Sequence, residues 1–296
     1  MPRMTATGTA LDADWLASCR AAVRALEAIL GAAPGIGERV RETGDVGEGG
    51  DRTLVIDQRA EDAVFAQLDA LHAAGHRFTA VSEERGEVDY GAREAGGGVR
   101  VVIDPIDGSL NAKRLMPAHA LSIAVADGPA MADVTFGYVY DFGTGEEWRA
   151  TRGGGAFLDD VALDPSLGER RGRSGRLELL GVEQADPRWV ARSIDRLQEQ
   201  TERLRVLGAI AVTMCQVAAA RLDGMVSLMR CRAVDAAAAQ LIVREAGGHV
   251  AFPAAAGAGA DDEHGLARTP LDVEPRSPVV CARTRETLRA LATVPA

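Results

Sequence analysis

The stretch VVIDPIDGSLNAKR, residues 101–114, constrains the fold of this chain more than any other segment. Three apolar residues read as the end of a buried strand, which then meets two aspartates set three positions apart around Pro105. Proline has no N–H for a strand ladder, so it fixes a turn there and returns Asp107 to the side of Asp104. Two carboxylates crowded into one turn repel each other unless something positive lies between them. The stretch therefore asks which cation, if it is buried, lies between the two carboxylates at the strand's carboxyl end. The Ile106 carbonyl is exposed in the turn, and Gly108 and Ser109 offer two backbone N–H groups with nothing bulky in front. Carboxylates plus a carbonyl are hard oxygen ligands, suited to Mg2+ or Mn2+ rather than zinc. Free amides beside them suit phosphate oxygens. Asp-Pro and Asp-Gly are also ordinary turn dipeptides, and on this stretch alone the two readings stand level.

Three other segments supply acids of the right kind. VSEERG (81–86) puts Glu83 and Glu84 at a strand end, LVIDQRAED (54–62) places Asp57 where a helix would be capped, and RAVDAAAAQLIVREAGG (232–248) starts a helix with Asp235 at its N-cap and stops it at Gly247 and Gly248. Each has a plain explanation alone, a solvated turn or a helix cap. Four in one chain carry more weight than any one of them.

The rest of the sequence sets limits. With 296 residues, 47% hydrophobic and 26% charged, the chain can bury the core of one large or two ordinary domains. A net charge of −10 argues against nucleic acid and anionic membranes as partners. Four scattered cysteines without a CxxC pair predict reduced thiols in the cytoplasm, and no signal peptide or membrane span is visible. Asp12 can cap a first helix whose inner face is Trp15, Cys19, Ala22, Val23, Leu26 and Leu30, ended by GAAPG. RETGDVGEGGDRT (41–53) reads as a mobile loop, and a second helix follows from about Asp57 with Ala60, Val64, Leu68 and Leu71 inward. Strands are predicted at VRVVI, LSIAVA and VTFGYVY. The glycines of RGGGAF suggest a domain boundary near residue 150, giving an N-terminal α+β part (1–150) and a C-terminal α/β part (151–296). PAAAGAGADDEHG (253–265) reads as a loose surface loop.

IDPIDGS, the upstream EE and the downstream VDAAAAQLIVREAGG resemble the inositol monophosphatase superfamily of Mg2+-dependent, lithium-sensitive phosphatases, over roughly residues 15–290. DPIDGSLNAKR, FGYVYDFGTGEEWRA and RCRAVDAAAAQLIVREAGG look most like its archaeal-type fructose-1,6-bisphosphatase/inositol monophosphatase members. The resemblance implies a layered αβαβα sandwich of two subdomains with the site in the cleft between them. It implies that Glu83, Asp104 and the Ile106 carbonyl hold one metal, and that Asp104 bridges to a second held also by Asp107 and Asp235. Asp107 would also border the substrate. The Gly108 and Ser109 amides would grip phosphate, and the Ser109 hydroxyl, bonded to Asp57, would orient and deprotonate the attacking water. Two Mg2+ ions are implied, with Mn2+ as a substitute. A third, weaker ion shared with the 41–53 loop, where Asp51 is a candidate, is left open, as are a homodimer and lithium sensitivity. The implied substrate is a small phosphate ester, a sugar or polyol phosphate.

Departures from the family pattern bear on that substrate. Leu228 stands where inositol-specific members carry an acidic residue, Val234 replaces a tryptophan, and Ala209 replaces a small hydroxyl residue. Arg232 matches an arginine of the bisphosphatases, with Arg230 close by, and either could meet a second anionic group or merely face solvent. Histidinol phosphate, 3′-phosphoadenosine 5′-phosphate and a non-catalytic metal-binding scaffold remain as alternatives. Three rival motifs fail. The Cys215-x5-Arg221 spacing encloses QVAAA, which is helix-prone and cannot form a loop of convergent amides. DPIDGSLNAKRL puts Gly108 and Leu115 where a calcium loop needs ligands, and DFG at 141–143 lacks any kinase context.

Overall fold

Helix α1 (Trp15–Gly31) begins the fold, and its inward stripe is the predicted one: Trp15, Cys19, Ala22, Val23, Leu26 and Leu30 are all buried. Its cap is Asp14 rather than Asp12; the Asp14 carboxylate accepts the Ala17 N–H at 3.0 Å, while Asp12 sits in a preceding single turn. The computed structural model describes residues 10–46, 52–92, 98–254 and 264–295. After the short α2 (Ile36–Arg39), the segment expected to be a loop contains two paired antiparallel strands, β1 (Glu42–Val46) and β2 (Arg52–Leu54). Asp51 and most of the 253–265 segment lie outside the described residues. Helix α3 (Val55–Ala73) starts two residues before Asp57, so Asp57 is in its first turn and not at its cap. Ala60, Val64 and Leu68 point inward as predicted, with Phe65 beside them and Leu71 at the margin.

The central element is an eight-stranded sheet. Its strands in chain order are β3 (Thr79–Ser82), β4 (Gly86–Asp89), β5 (Arg100–Asp107), β6 (Ala120–Ala126), β7 (Val134–Asp141), β8 (Glu146–Thr151), β9 (Gly155–Leu158) and β10 (Val161–Ala162). They lie in the order β10-β9-β8-β7-β6-β5-β3-β4, and all pairs are antiparallel except β3 with β5. Because strand side chains alternate, this sheet is buried on both faces by different residues. Val101, Ile103, Leu121, Ile123 and Val125 pack under α1 and α3, while Val102, Ala120, Ala124 and Ala126 face the opposite way. The smaller residues on that second face admit a close-packed helical layer. At Gly137 of β7 a Cβ would lie 2.6 Å from the Ala238 carbonyl oxygen, so backbone meets backbone there.

That layer consists of α6 (Ile210–Ala218) and α7 (Ala233–Glu245), whose buried alanines sit between the two sheets. The second sheet has five strands, β11 (Leu180–Glu183), β12 (Leu204–Arg205), β13 (Gly224–Ser227), β14 (His249–Ala251) and β15 (Val280–Ala282), in the order β12-β11-β13-β15-β14. Met225 and Cys281 face the middle layer. Leu180, Val182, Val226 and Val280 face an outer layer of α5 (Pro187–Gln200) and α8 (Arg285–Leu291). The result is the αβαβα sandwich. The change of sheet falls in residues 163–179, not at RGGGAF, whose glycines form the β8–β9 turn. Glycine there serves the tight turn between antiparallel strands, which is why a composition break mimicked a boundary.

Candidate metal centre and phosphate site

Strand β5 pairs normally with β6 until Asp104, which faces Ser122; Asp107 then faces Ala120. The first strand advances three residues while its partner advances two, which is a β-bulge at Pro105 and Ile106. Positions 104 and 107 differ in parity and would ordinarily point to opposite faces; the extra residue brings both carboxylates to one side. Asp104 accepts the Ile106 N–H at 2.9 Å within the bulge. Asp107 accepts the N–H groups of Ile210 (3.2 Å) and Ala211 (2.7 Å), and so caps α6 in place of Ala209, which has no capping side chain. This bond ties the first sheet's key strand to the middle helical layer.

Two further acids converge on this point. Glu83 follows β3 directly, next to β5. Asp235 is the third residue of α7 and not its N-cap; its carboxylate accepts the Arg232 N–H at 2.8 Å, reaching back over the helix start. One carboxylate oxygen each from Glu83, Asp104 and Asp235 lies within 4.8 Å of the others. Burial raises all these carboxyls, and repulsion by neighbouring carboxylates adds to it at Glu83, Asp104 and Asp107. Asp104 is held well above the usual carboxylate range by burial and then by Glu83, Asp107 and Asp235, and Asp107 likewise by burial and then by Asp235. Asp235 is raised by burial, against the pull of Arg232. Glu83 is pushed up to about 7 by burial, with Asp235 and Glu84 adding to the rise and Arg232 opposing it. The Arg232 Nη1 atom lies 2.5 Å from Glu83 Oε1, so this arginine faces the acid cluster.

Asp57, Glu83, Glu84, Asp104, Pro105, Ile106, Ser109 and Lys113 line one cavity of about 340 Å3. Gly108 precedes α4 (Ser109–Lys113) with φ 79°, and a Cβ there would lie 2.8 Å from Ala118 O and 3.0 Å from Gly208 O. Only glycine fits that backbone. Asp57 is paired with Lys113 (Nζ–Oδ2 3.2 Å), and both line this cavity. Sequence reasoning passed over Lys113, and it also missed the supports of the neighbouring loop. Glu183 is buried at the end of β11 and accepts the N–H groups of Leu207 and Gly208 and the Thr213 hydroxyl, while Asn111 donates to the carbonyls of Ala118 and Leu207. On the other side, Gln184, Arg230, Arg232, Asp235 and Glu274 are among the residues lining a second cavity of about 320 Å3.

The inositol monophosphatase family model matches residues 12–294, nearly the whole chain. The chain belongs to the inositol monophosphatase family. It is 34% identical over 212 residues to a fructose-1,6-bisphosphatase/inositol-1-monophosphatase of Methanothermobacter thermautotrophicus, covering 69% of this chain and 72% of that protein. It is 31% identical over 198 residues to the Nus factor SuhB of Escherichia coli K12, covering 66% and 69%. Among solved structures, an inositol monophosphatase–fructose 1,6-bisphosphatase superposes with a TM-score of 0.75 at 23% identity, covering 95% of this chain and all of that one. As a family member this chain is a phosphoric monoester hydrolase, and a metal-dependent one.

The donor set of this inositol monophosphatase family member fits a hard divalent cation. Its acids are oxygen donors only, they are held close together, and burial makes their joint ionisation unfavourable until a cation offsets it. The cysteine-nucleophile alternative has no support here. Cys215 is wholly buried inside α6 with its thiol raised by burial, and Arg221 pairs with Glu146. All four cysteines are buried and unpaired, and no described helix is long and apolar enough to cross a membrane.

Proposed function

We propose that this enzyme hydrolyses a small sugar or polyol phosphate, inositol 1-phosphate or fructose 1,6-bisphosphate. In this reading Glu83, Asp104, the Ile106 carbonyl, Asp107 and Asp235 hold two Mg2+ ions, with Mn2+ able to replace them. The observation that carries it is the approach of Glu83, Asp104 and Asp235 within 4.8 Å, beside a cavity that also holds Ser109 and Asp57. Bound ions would supply Lewis acidity, polarising the phosphoryl group and making water acidic enough to attack near neutral pH.

The chain's own groups do the rest. Gly108 and Ser109 N–H groups hold phosphate oxygens at the start of α4, where the left-handed glycine sets the turn. The Ser109 hydroxyl orients the attacking water, and Asp57 receives the proton through it. The water oxygen bonds to phosphorus, the ester P–O bond breaks, and the leaving alkoxide takes a proton from a solvent water and departs as the alcohol. Arg232 and Arg230 line the second cavity, which shares Asp235 with the acid cluster, and they suit a distal phosphate or other anionic group. Buried, unpaired cysteines suit the reducing cytoplasm, and a homodimer completes the reading.

The test is a substrate panel at fixed Mg2+: fructose 1,6-bisphosphate, inositol 1-phosphate, histidinol phosphate and 3′-phosphoadenosine 5′-phosphate. A sugar or polyol phosphate should lead in kcat/KM. Arg232→Ala should depress every substrate, because Glu83 loses its partner. An additional loss of roughly tenfold or more on the bisphosphate alone measures the distal contact. No phosphate release from any of the four would overturn the reading.

A further inference from the structure

Among the described residues, Lys113 is the one cation lining the cavity of about 340 Å3, whose wall also carries the carboxylates of Asp57, Glu83, Glu84 and Asp104. It lies four residues after Ser109 on α4, so both side chains leave the same face of the helix toward the cavity. The Lys113 and Asp57 side chains are only 22% and 14% exposed, so the pair is withdrawn from solvent. A lysine near the end of a short helix can simply complement the helix dipole, and an exposed ion pair contributes little. This pair is neither exposed nor remote: it sits on the wall of the reaction cavity and ends on the carboxylate assigned to receive a proton.

Charge balance gives the pair a role. The Glu83–Asp104–Asp235 cluster needs divalent ions, but Asp57, which lines the same cavity, is not one of the three converging carboxylates and already has a unit positive charge 3.2 Å away. We propose that Lys113 is a tethered cation of the reaction site. Its ammonium neutralises and positions Asp57, and it occupies the place a further divalent ion would otherwise take beside that carboxylate. The enzyme then works with the ions of the acid cluster alone, with no weakly held extra ion. This inference rests on the phosphatase reading above and adds a positioning residue to it.

The experiment compares full-length wild type with Lys113→Met, Lys113→Gln and Lys113→Arg. Bound Mn2+ is counted by equilibrium dialysis, and phosphate release is followed against Mg2+ concentration. Removing the charge should let the chain bind about one more ion, held by one or two carboxylates and water. The Mg2+ concentration for half-maximal activity should rise by roughly tenfold, because turnover then waits on that weak ion. Lys113→Arg should restore both the ion count and the Mg2+ dependence, which a lysine acting only as packing would not predict. Wild-type ion count and Mg2+ dependence in Lys113→Met would overturn the proposal, and so would failure of both neutral variants to fold. Absence of Mn2+ binding in the wild type would instead sink the phosphatase-site reading itself.

Discussion

Asp57 separates two roles that a sequence cannot tell apart. Asparagine accepts hydrogen bonds in a first helical turn about as well as aspartate but takes no proton. Asp57→Asn should therefore fold normally and lose about 10²- to 10⁴-fold in kcat, measured at saturating Mg2+. Ser109→Ala should lose a comparable amount, and the double variant no more than either. Asp104 makes the opposite contrast between catalysis and stability. Asp104→Asn should abolish turnover because the acid cluster loses one of its three converging carboxylates. The metal-free protein should become more stable to urea, since a buried and repelled carboxylate has been removed. These acids were legible because hard donors at strand ends and helix starts carry their chemistry in residue type. Lys113, Glu183 and Asn111 were not, because each matters through contacts with chain segments that local sequence does not connect.

At the scale of elements, periodicity read the inward faces of α1 and α3 well, yet missed how helices begin. The cap of α1 moved from Asp12 to Asp14, α3 starts before Asp57, and Asp235 lies inside α7. Several acids near one helix start compete for the same backbone N–H groups, and tertiary contacts choose among them. The start of α6 is the extreme case, because its capping carboxylate, Asp107, comes from a strand more than a hundred residues earlier in sequence. Asp107→Ala should therefore destabilise even the metal-free enzyme by about 0.5–2 kcal/mol, as loss of a helix cap does. Urea unfolding in a chelator would measure it, with the opposite sign expected for Asp104→Asn. Equal effects of the two substitutions would mean that the cap contributes nothing.

For the whole molecule, the buried acids couple stability to pH. Glu83 rises from the usual 4.5 to about 7 in the folded chain, so the folded state keeps a proton that the unfolded state has lost. That contribution is fully present below about 4.5 and disappears as pH rises through about 7. Asp104, Asp107 and Asp235 act in the same direction. The metal-free Tm should thus fall between roughly pH 5 and pH 8, and Mg2+ should raise Tm far more at the higher pH, where the acids are ready to bind it. A Tm in chelator that rises over this range would contradict the burial of these groups.

The alanine-rich pair α6 and α7 has one more consequence. Both sheets close on it, while the connecting residues 163–179 run mostly along the surface. A protease that nicked the chain there would cut a covalent link without opening the core, and the pieces would stay clasped as a two-chain enzyme. Made separately, the first piece would show water the bare alanine and valine face of its sheet, and the second would show it the alanines of α7. Each would be an aggregation hazard until it met the other. Folding of this chain is therefore a complementation reaction between its own two parts, with the cluster of Glu83, Asp104 and Asp235 formed along the seam.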